Sequence, residues 1–310
     1  SEADLNPYLS ERWRRHIAEY GKLGRGPYAG RNTYPRFQPF LARRDSFPPN
    51  GGPPGSDLDF MREQLLDRYD IEYGILEPLM PSNLVRNLEL GAALCSAIND
   101  WQVAAFTSRE KRLRASIQIP FEDAKAAVAE IERRVANRDF AQIQLTSRST
   151  EPLGRPRYWP IFEAAVHHNL PIGLHIGGEA GHAPTASGWP SFYIEDHHGL
   201  MHSMQCQATS MVLEGVFERF PSLRIIMIEG GLAWLPVLGW RLDRHWEKMH
   251  GEVPHLKRPP SQYMRQNLWV SSQPMEEPED PEDLRRVLSW IGWDRVLFAT
   301  DYPHWDFDDP

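Results

Sequence analysis

Three short stretches each end an apolar run on a residue that binds metals or moves protons. His175 closes the run in PIGLHIGG, Glu229 the run in RIIMIEGG, and Asp301 the run in VLFATDYPHWD. Glu77 closes an earlier one, IEYGILEP. Ionised carboxylates are rarely buried unless they are paired or bound to a cation. One imidazole and two carboxylates offer the mixed nitrogen and oxygen donors that Zn²⁺, Mn²⁺ and Fe²⁺ accept. Each residue also has a plain structural use: His175 as a hydrogen-bonded core imidazole, Asp301 as a turn residue before Pro303, Glu229 as a cap for a helix beginning near Leu232. Those uses would have to coincide at three equivalent strand ends. The shared chemical explanation is therefore taken forward: His175, Asp301 and Glu229 as metal ligands, with Glu229, Asp301 and His304 as the catalytic groups.

A second constellation lies in YIEDHHGLMH, residues 193–202. On a helix, Glu195 and His198 stand at i, i+3 and His198 and His202 at i, i+4, so both pairs share a face. Glu-x-x-His is also the inward arrangement of di-iron carboxylate bundles. A solvated, polar helix start is the simpler use of the same residues. Glu195, His197, His198 and His202 are thus expectations for a second metal or for substrate, with His182 a further imidazole near the same face.

Such residues need a frame that gathers strand ends. From residue 70 onward, short apolar runs alternate with amphipathic stretches. Strands are predicted over Asp70–Leu76, Leu113–Ile119, Phe140–Leu145, Pro171–Ile176, Leu223–Ile228, Asn267–Ser271 and Val296–Thr300. Helices are predicted between them, over a long segment capped by Ser82 and then Phe121–Ala136, Trp159–Asn169, His202–Phe220, Leu232–His250 and Pro281–Trp290. Strands that alternate with helices imply a parallel sheet covered on both faces. An open doubly wound sheet would show a glycine-rich phosphate loop after its first strand, and no G-x-G-x-x-G follows any strand here. A (β/α)₈ barrel places its catalytic groups at the carboxyl ends of strands, where these residues fall. Residues 1–70 read differently. A helix over Ser10–Tyr20 precedes GRGPYAGRNTYPRFQPF and SFPPNGGPPGSD, whose proline and glycine density suits a long loop over a site mouth. Two units are therefore expected: 1–70 packed on the barrel, and a barrel over 71–310.

Composition narrows the class. Of 310 residues, 41% are hydrophobic and 25% charged, which suits a globular protein with a sizeable core. The net charge of −8 disfavours a nucleic-acid partner. No apolar run approaches the roughly 18 residues of a spanning helix, so no membrane partner is expected. Two cysteines build no disulfide framework, and a reducing cytoplasm is the expected location.

The segments PIGLHIGGEAG, FPSLRIIMIEGGLAWLPVLGWRLDRHWEKM and RVLFATDYPHWDFDDP resemble the metal-dependent amidohydrolase-related group typified by aminocarboxymuconate semialdehyde decarboxylase, often labelled amidohydrolase 2. The resemblance implies a (β/α)₈ TIM barrel with a divalent metal, usually Zn²⁺ and sometimes Mn²⁺; the residues themselves leave open Fe²⁺ and, through the 193–202 segment, a second metal. It implies a His-x-His pair on the first strand, a His on the fifth that matches His175, and an Asp on the eighth that matches Asp301. No His-x-His precedes the first strand here, and the sole early imidazole is His16. The opening SEADLNPYLSERW resembles the segment after that pair, and the chain stops where a final helix would begin. A first strand and last helix are accordingly expected to be missing from this sequence. The family's sixth strand ends in a His that activates water, and Glu229 stands there instead. The implied activity is hydrolysis or non-oxidative decarboxylation of a small carbonyl or carboxylate compound, in a protein that relatives suggest is a homodimer. Two other outcomes stay open: a dinuclear non-haem iron oxygenase on the same barrel, and a non-catalytic degenerate barrel if the His-x-His pair is truly absent.

Overall fold

The computed structural model describes residues 2–20, 41–79, 85–178, 183 and 185–309. Seven strands form one sheet: β1 (Gly74–Leu76), β2 (Leu113–Gln118), β3 (Phe140–Thr146), β4 (Ile172–His175), β5 (Ile225–Ile228), β6 (Leu268–Ser271) and β7 (Val296–Leu297). They lie in sequence order and every neighbouring pair is parallel. Residues from β1, β3, β4, β5, β6 and β7 line one cavity of about 810 Å³, so the sheet is curled around it. The barrel-type α/β fold and the seven strands agree with the sequence reading.

Strand residues alternate between two environments. Ile117, Ile143, Leu145, Ile172, Leu174, Ile225, Met227, Leu268 and Val270 join the main apolar core. That core lies between the sheet and helices α4 (Ala124–Arg134), α5 (Trp159–His167), α6 (Tyr193–Leu213), α7 (Val216–Arg219), α8 (Trp234–Met249), α9 (Pro260–Asn267) and α10 (Pro281–Ile291). The alternate positions face the barrel interior, and in β2 and β3 they are polar: Ser116, Gln118, Gln142 and Gln144. Gln118 donates to Gln144, and Gln142 Nε2 donates to Ser116 Oγ at 3.0 Å. A side chain at Gly173 on β4 would meet Gln142 Nε2 at 2.8 Å and Ile228 Cδ1 at 2.9 Å, so it would displace one of them from the inner face.

Upstream, α2 (Leu58–Met61) and α3 (Leu88–Gln102) pack beside β1 and β2, and α1 (Glu11–Tyr20) packs on α3. Leu5, Leu9 and Trp13 bury against Val85, Leu90, Leu94 and Ile98. Leu58, Met61 and Leu66 bury against Phe106 and Leu113. Because β1 pairs only with Leu113–Ala115, the rest of that edge of β2 needs other partners. Two side chains of α3 supply them. Gln102 bonds the backbone N–H and C=O of Ser116, and Asn99 does the same for Gln118.

Several boundaries differ from the sequence expectation. The α3 helix starts at Leu88 under an Asn87 cap, whose side chain accepts from Leu90 N at 3.2 Å. The predicted cap, Ser82, lies outside the described residues, as does the stretch GRGPYAGRNTYPRFQPF. The helix expected over His202–Phe220 begins instead at Tyr193 and breaks near the left-handed Gly215 (φ 81°). The α9 helix, with Pro260 at its first turn, was not anticipated. No described helix is long and apolar enough to cross a membrane.

Candidate active site

His175 is the last residue of β4 and is buried. Its Nδ1 lies 2.6 Å from the Ile176 carbonyl oxygen, which only accepts, so Nδ1 carries a proton and donates. Nε2 faces Glu229 Oε2 at 2.8 Å. Burial alone would lower this imidazole, but the Glu229 carboxylate outweighs it and His175 is pushed up to about 9.

Glu229 follows β5 in the left-handed region, at φ 63°. Its N–H donates to Ser271 Oγ at the end of β6, 2.9 Å away, which fixes the turn. Its carboxylate is buried, which by itself disfavours charge. The adjoining His175, then His304 and His197, overcome that burial and hold Glu229 below the usual carboxylate range.

Asp301 stands beyond β7 and is also left-handed, at φ 57°. Side chains rarely adopt that backbone conformation, and such residues persist where surrounding structure over-determines them. Both Asp301 oxygens take the His304 Nδ1 proton, at 2.8 and 2.9 Å. Burial, then the nearby Glu229 charge, push Asp301 up to about 7 against the pull of His304. Burial would lower His304, and Asp301 raises it above its ordinary value. The loop that carries His304 is tied to the N-terminal part of the chain: Arg43 N donates to Pro303 O, Trp305 N donates to Leu41 O, and Ala42 bridges His304.

Donor atoms of Glu229, Asp301 and His304 lie within 4.8 Å of one another, the spacing of ligands around one ion. His175 stands beside this group through Glu229 rather than inside it. Glu77, Gln142, His175, Glu229, Asp301 and His304 all line one cavity, and Pro53–Ser56 of the predicted proline-rich loop line it too.

The 193–202 segment divides. His197 turns towards the site, with Nε2 at 3.5 Å from Asp306 Oδ2 and its ring against Tyr193 and Trp305. Trp305 Nε1 donates to Tyr193 OH at 3.0 Å, so three rings form a cluster. Glu195, His198 and His202 are exposed on α6. Glu195 Oε2 accepts from Ser191 N, and the His198 and His202 rings contact each other with centroids 5.1 Å apart. None of these three joins the described donor cluster, so a dinuclear centre built on that segment is not supported. The helix starts one turn before His197, and its register sends the predicted i, i+4 face outward. His182 lies outside the described residues.

Sequence reasoning passed over Gln142, Ser116, Ser271 and Asp306. A signal was present for the first two: Ser116/Gln118 and Gln142/Gln144 repeat every second residue inside otherwise apolar strands, which marks a polar inner face.

A family model described as Amidohydrolase matches residues 13–310. The chain is 24% identical over 262 residues to a gamma-resorcylate decarboxylase of Polaromonas sp., a match that covers 81% of this chain and 79% of that protein. A crystal structure of an amidohydrolase from Mycobacterium avium subsp. paratuberculosis superposes with a TM-score of 0.68 at 23% identity, covering 82% of this chain and 66% of that one. A dihydroxybenzoic acid decarboxylase from Polaromonas sp., solved with bound manganese and 2-nitroresorcinol, superposes at 0.65 with 24% identity, covering 81% and 77%.

Proposed function

The chain belongs to the amidohydrolase family, and from that premise we propose that it is a divalent-metal-dependent enzyme that removes the carboxyl group from a small hydroxylated aromatic acid. One observation carries the proposal: Glu229, Asp301, His304 and His175 arrive from three separate strand ends and meet in one cavity. The names of similar decarboxylases supply the substrate class, and the manganese in one of them supports a divalent ion.

The residues fit such an ion. With Nδ1 donating to Ile176, His175 turns Nε2 toward Glu229 Oε2, 2.8 Å away, and the two share a proton whose place a cation could take. Two acceptors 2.8 Å apart need a proton or a cation between them. Glu229, Asp301 and His304 would hold the metal, with His175 completing the set, and a backbone hydrogen bond to its far nitrogen is the orientation that ligating imidazoles ordinarily have. When bound, the ion supplies a Lewis-acid anchor for substrate oxygens and neutralises charge that develops on them.

The protein's own part is proton handling. Asp301 accepts the His304 Nδ1 proton at 2.8 Å, so the pair is placed to pass a proton to the substrate and take another up. Transfer from the Asp301 carboxyl to the ring carbon bearing the carboxylate forms a C–H bond. The C–C bond then breaks, its electron pair returns to the ring, and CO₂ leaves. Gln142 lines the cavity and is held in place by Ser116.

The test uses the Mn²⁺-loaded protein with 2,6-dihydroxybenzoate labelled with ¹³C in its carboxyl group. The expected result is ¹³CO₂ and resorcinol that gains one deuterium when the solvent is D₂O. Intact substrate after exhaustive incubation would refute decarboxylation of this class. One observation favours a hydrolytic second reading: the ionised Glu229, itself in the donor cluster, could take a proton from water. Incorporation of ¹⁸O from water into a product, without CO₂ release, would support that instead.

A further inference from the structure

Glu77 follows the last residue of β1 and lines the same cavity as the donor cluster, outside its 4.8 Å group. Its Oε1 accepts from Gln142 Nε2 and, at 3.3 Å, from Ser116 Oγ. Both donors are themselves buried and are bonded to each other, so the carboxyl group cannot turn freely. Its Oε2 is shielded from water and has no hydrogen-bond partner among the described residues. Among the described residues, no lysine or arginine forms an ion pair with it. A carboxylate that belongs to a residue lining the cavity of the catalytic groups, anchored through one oxygen and with the other buried and unpaired, is an acceptor without its donor. Protein groups that stay buried and unpaired are unfavourable unless something else pairs them.

Resting on the decarboxylase reading above, we propose that Glu77 determines specificity by accepting, through Oε2, a hydrogen bond from a hydroxyl group of the bound aromatic acid. A site built around such a bond rejects an analogue that cannot donate, because the acceptor is then left unpaired. A methoxy group is such an analogue: it occupies the same place and can only accept.

The experiment is calorimetric titration of the Mn²⁺-loaded protein with 2,6-dihydroxybenzoate and 2,6-dimethoxybenzoate, at about pH 8.5 so that the carboxyl group is ionised. Wild-type protein is expected to prefer the dihydroxy compound by at least about tenfold. In E77Q an amide N–H₂ replaces the free acceptor with a donor, and the preference is expected to fall at least about tenfold. E77A is expected to lose it as well. Equal wild-type affinities, or a preference retained in both variants, overturns the Glu77 assignment alone. The wild-type comparison needs no variant to fold. Wild-type protein that binds neither compound overturns the decarboxylase reading, and the role of Glu77 with it.

Discussion

A histidine whose Nδ1 is committed to a carbonyl presents one nitrogen to the rest of the molecule, and for His175 that nitrogen meets a buried carboxylate. His175→Ala is therefore expected to lose bound metal and turnover together, and elemental analysis beside a rate assay checks both. Glu229→Gln keeps the shape and an oxygen donor but removes the charge. It is expected to retain metal and, under the hydrolytic reading in which Glu229 takes a proton from water, to lose about 10²–10⁴-fold in turnover, the usual contribution of a proton-transfer group. Glu77 gives a prediction in stability rather than rate. Burial, above all, pushes it up to about 7 from an ordinary value of 4.5. A folded-state value above the unfolded one means that the stabilising term is fully present below about pH 4.5 and is lost as pH rises through about 7. Glu77→Gln has no charge to bury. The metal-free variant is expected to gain on wild type between about pH 5 and 8, by up to about 3 kcal/mol, in urea titrations at each pH. A difference that does not vary with pH would show that Glu77 keeps the same protonation state folded and unfolded.

At the scale of elements, loops just beyond the strands hold the acids by bonds to neighbouring segments. Glu276 Oε2 accepts from the N–H groups of Leu232 and Ala233, both at 3.0 Å, and so closes the turn that carries Glu229 into α8. Trp234 Nε1 donates back to Gly230 O at 2.8 Å in the same turn. Glu276→Ala strands two N–H donors. It is expected to cost about 1–3 kcal/mol and to lower kcat more than it changes metal content, as thermal melts, metal analysis and kinetics will show. On α6 the expectation is the reverse: a double substitution of His198 and His202 by Ala should leave metal content and turnover unchanged, since both rings face solvent. These two cases also mark what a sequence can show. His175, Glu229 and Asp301 were legible because each follows an apolar run, and a strand's end is where its period stops. The alternation of strands and helices likewise carried the fold. Glu276 was not legible, because its partner lies 43 residues or more away in sequence and the pairing exists only after β5 and β6 come together. The outward turn of His198 and His202 was hidden for a related reason: spacing fixes which residues share a helix face, but packing against the barrel decides where that face points.

At the scale of the whole molecule, the candidate centre joins parts of the chain that are far apart. Asp301 and His304 come from the C-terminal segment, His175 and Glu229 from the middle strands, and residues 41–43 brace the His304 loop. A ligand held by several such segments stabilises the folded state alone, because an unfolded chain cannot keep them together. The stabilisation is then set by mass action: at a free metal concentration about 100 times Kd it reaches about 2.7 kcal/mol. For a chain of this size that corresponds to a rise in Tm of a few degrees. Mn²⁺ is therefore expected to raise Tm progressively with concentration, and a chelator to reverse the shift. The same titration of Asp301→Ala separates this centre from adventitious binding. Loss of the shift locates the stabilising ion among the strand-end residues. A full shift in the variant would place the ion elsewhere on a surface that carries a net charge of −8, and the convergence of Glu229, Asp301 and His304 would then need an explanation other than metal binding.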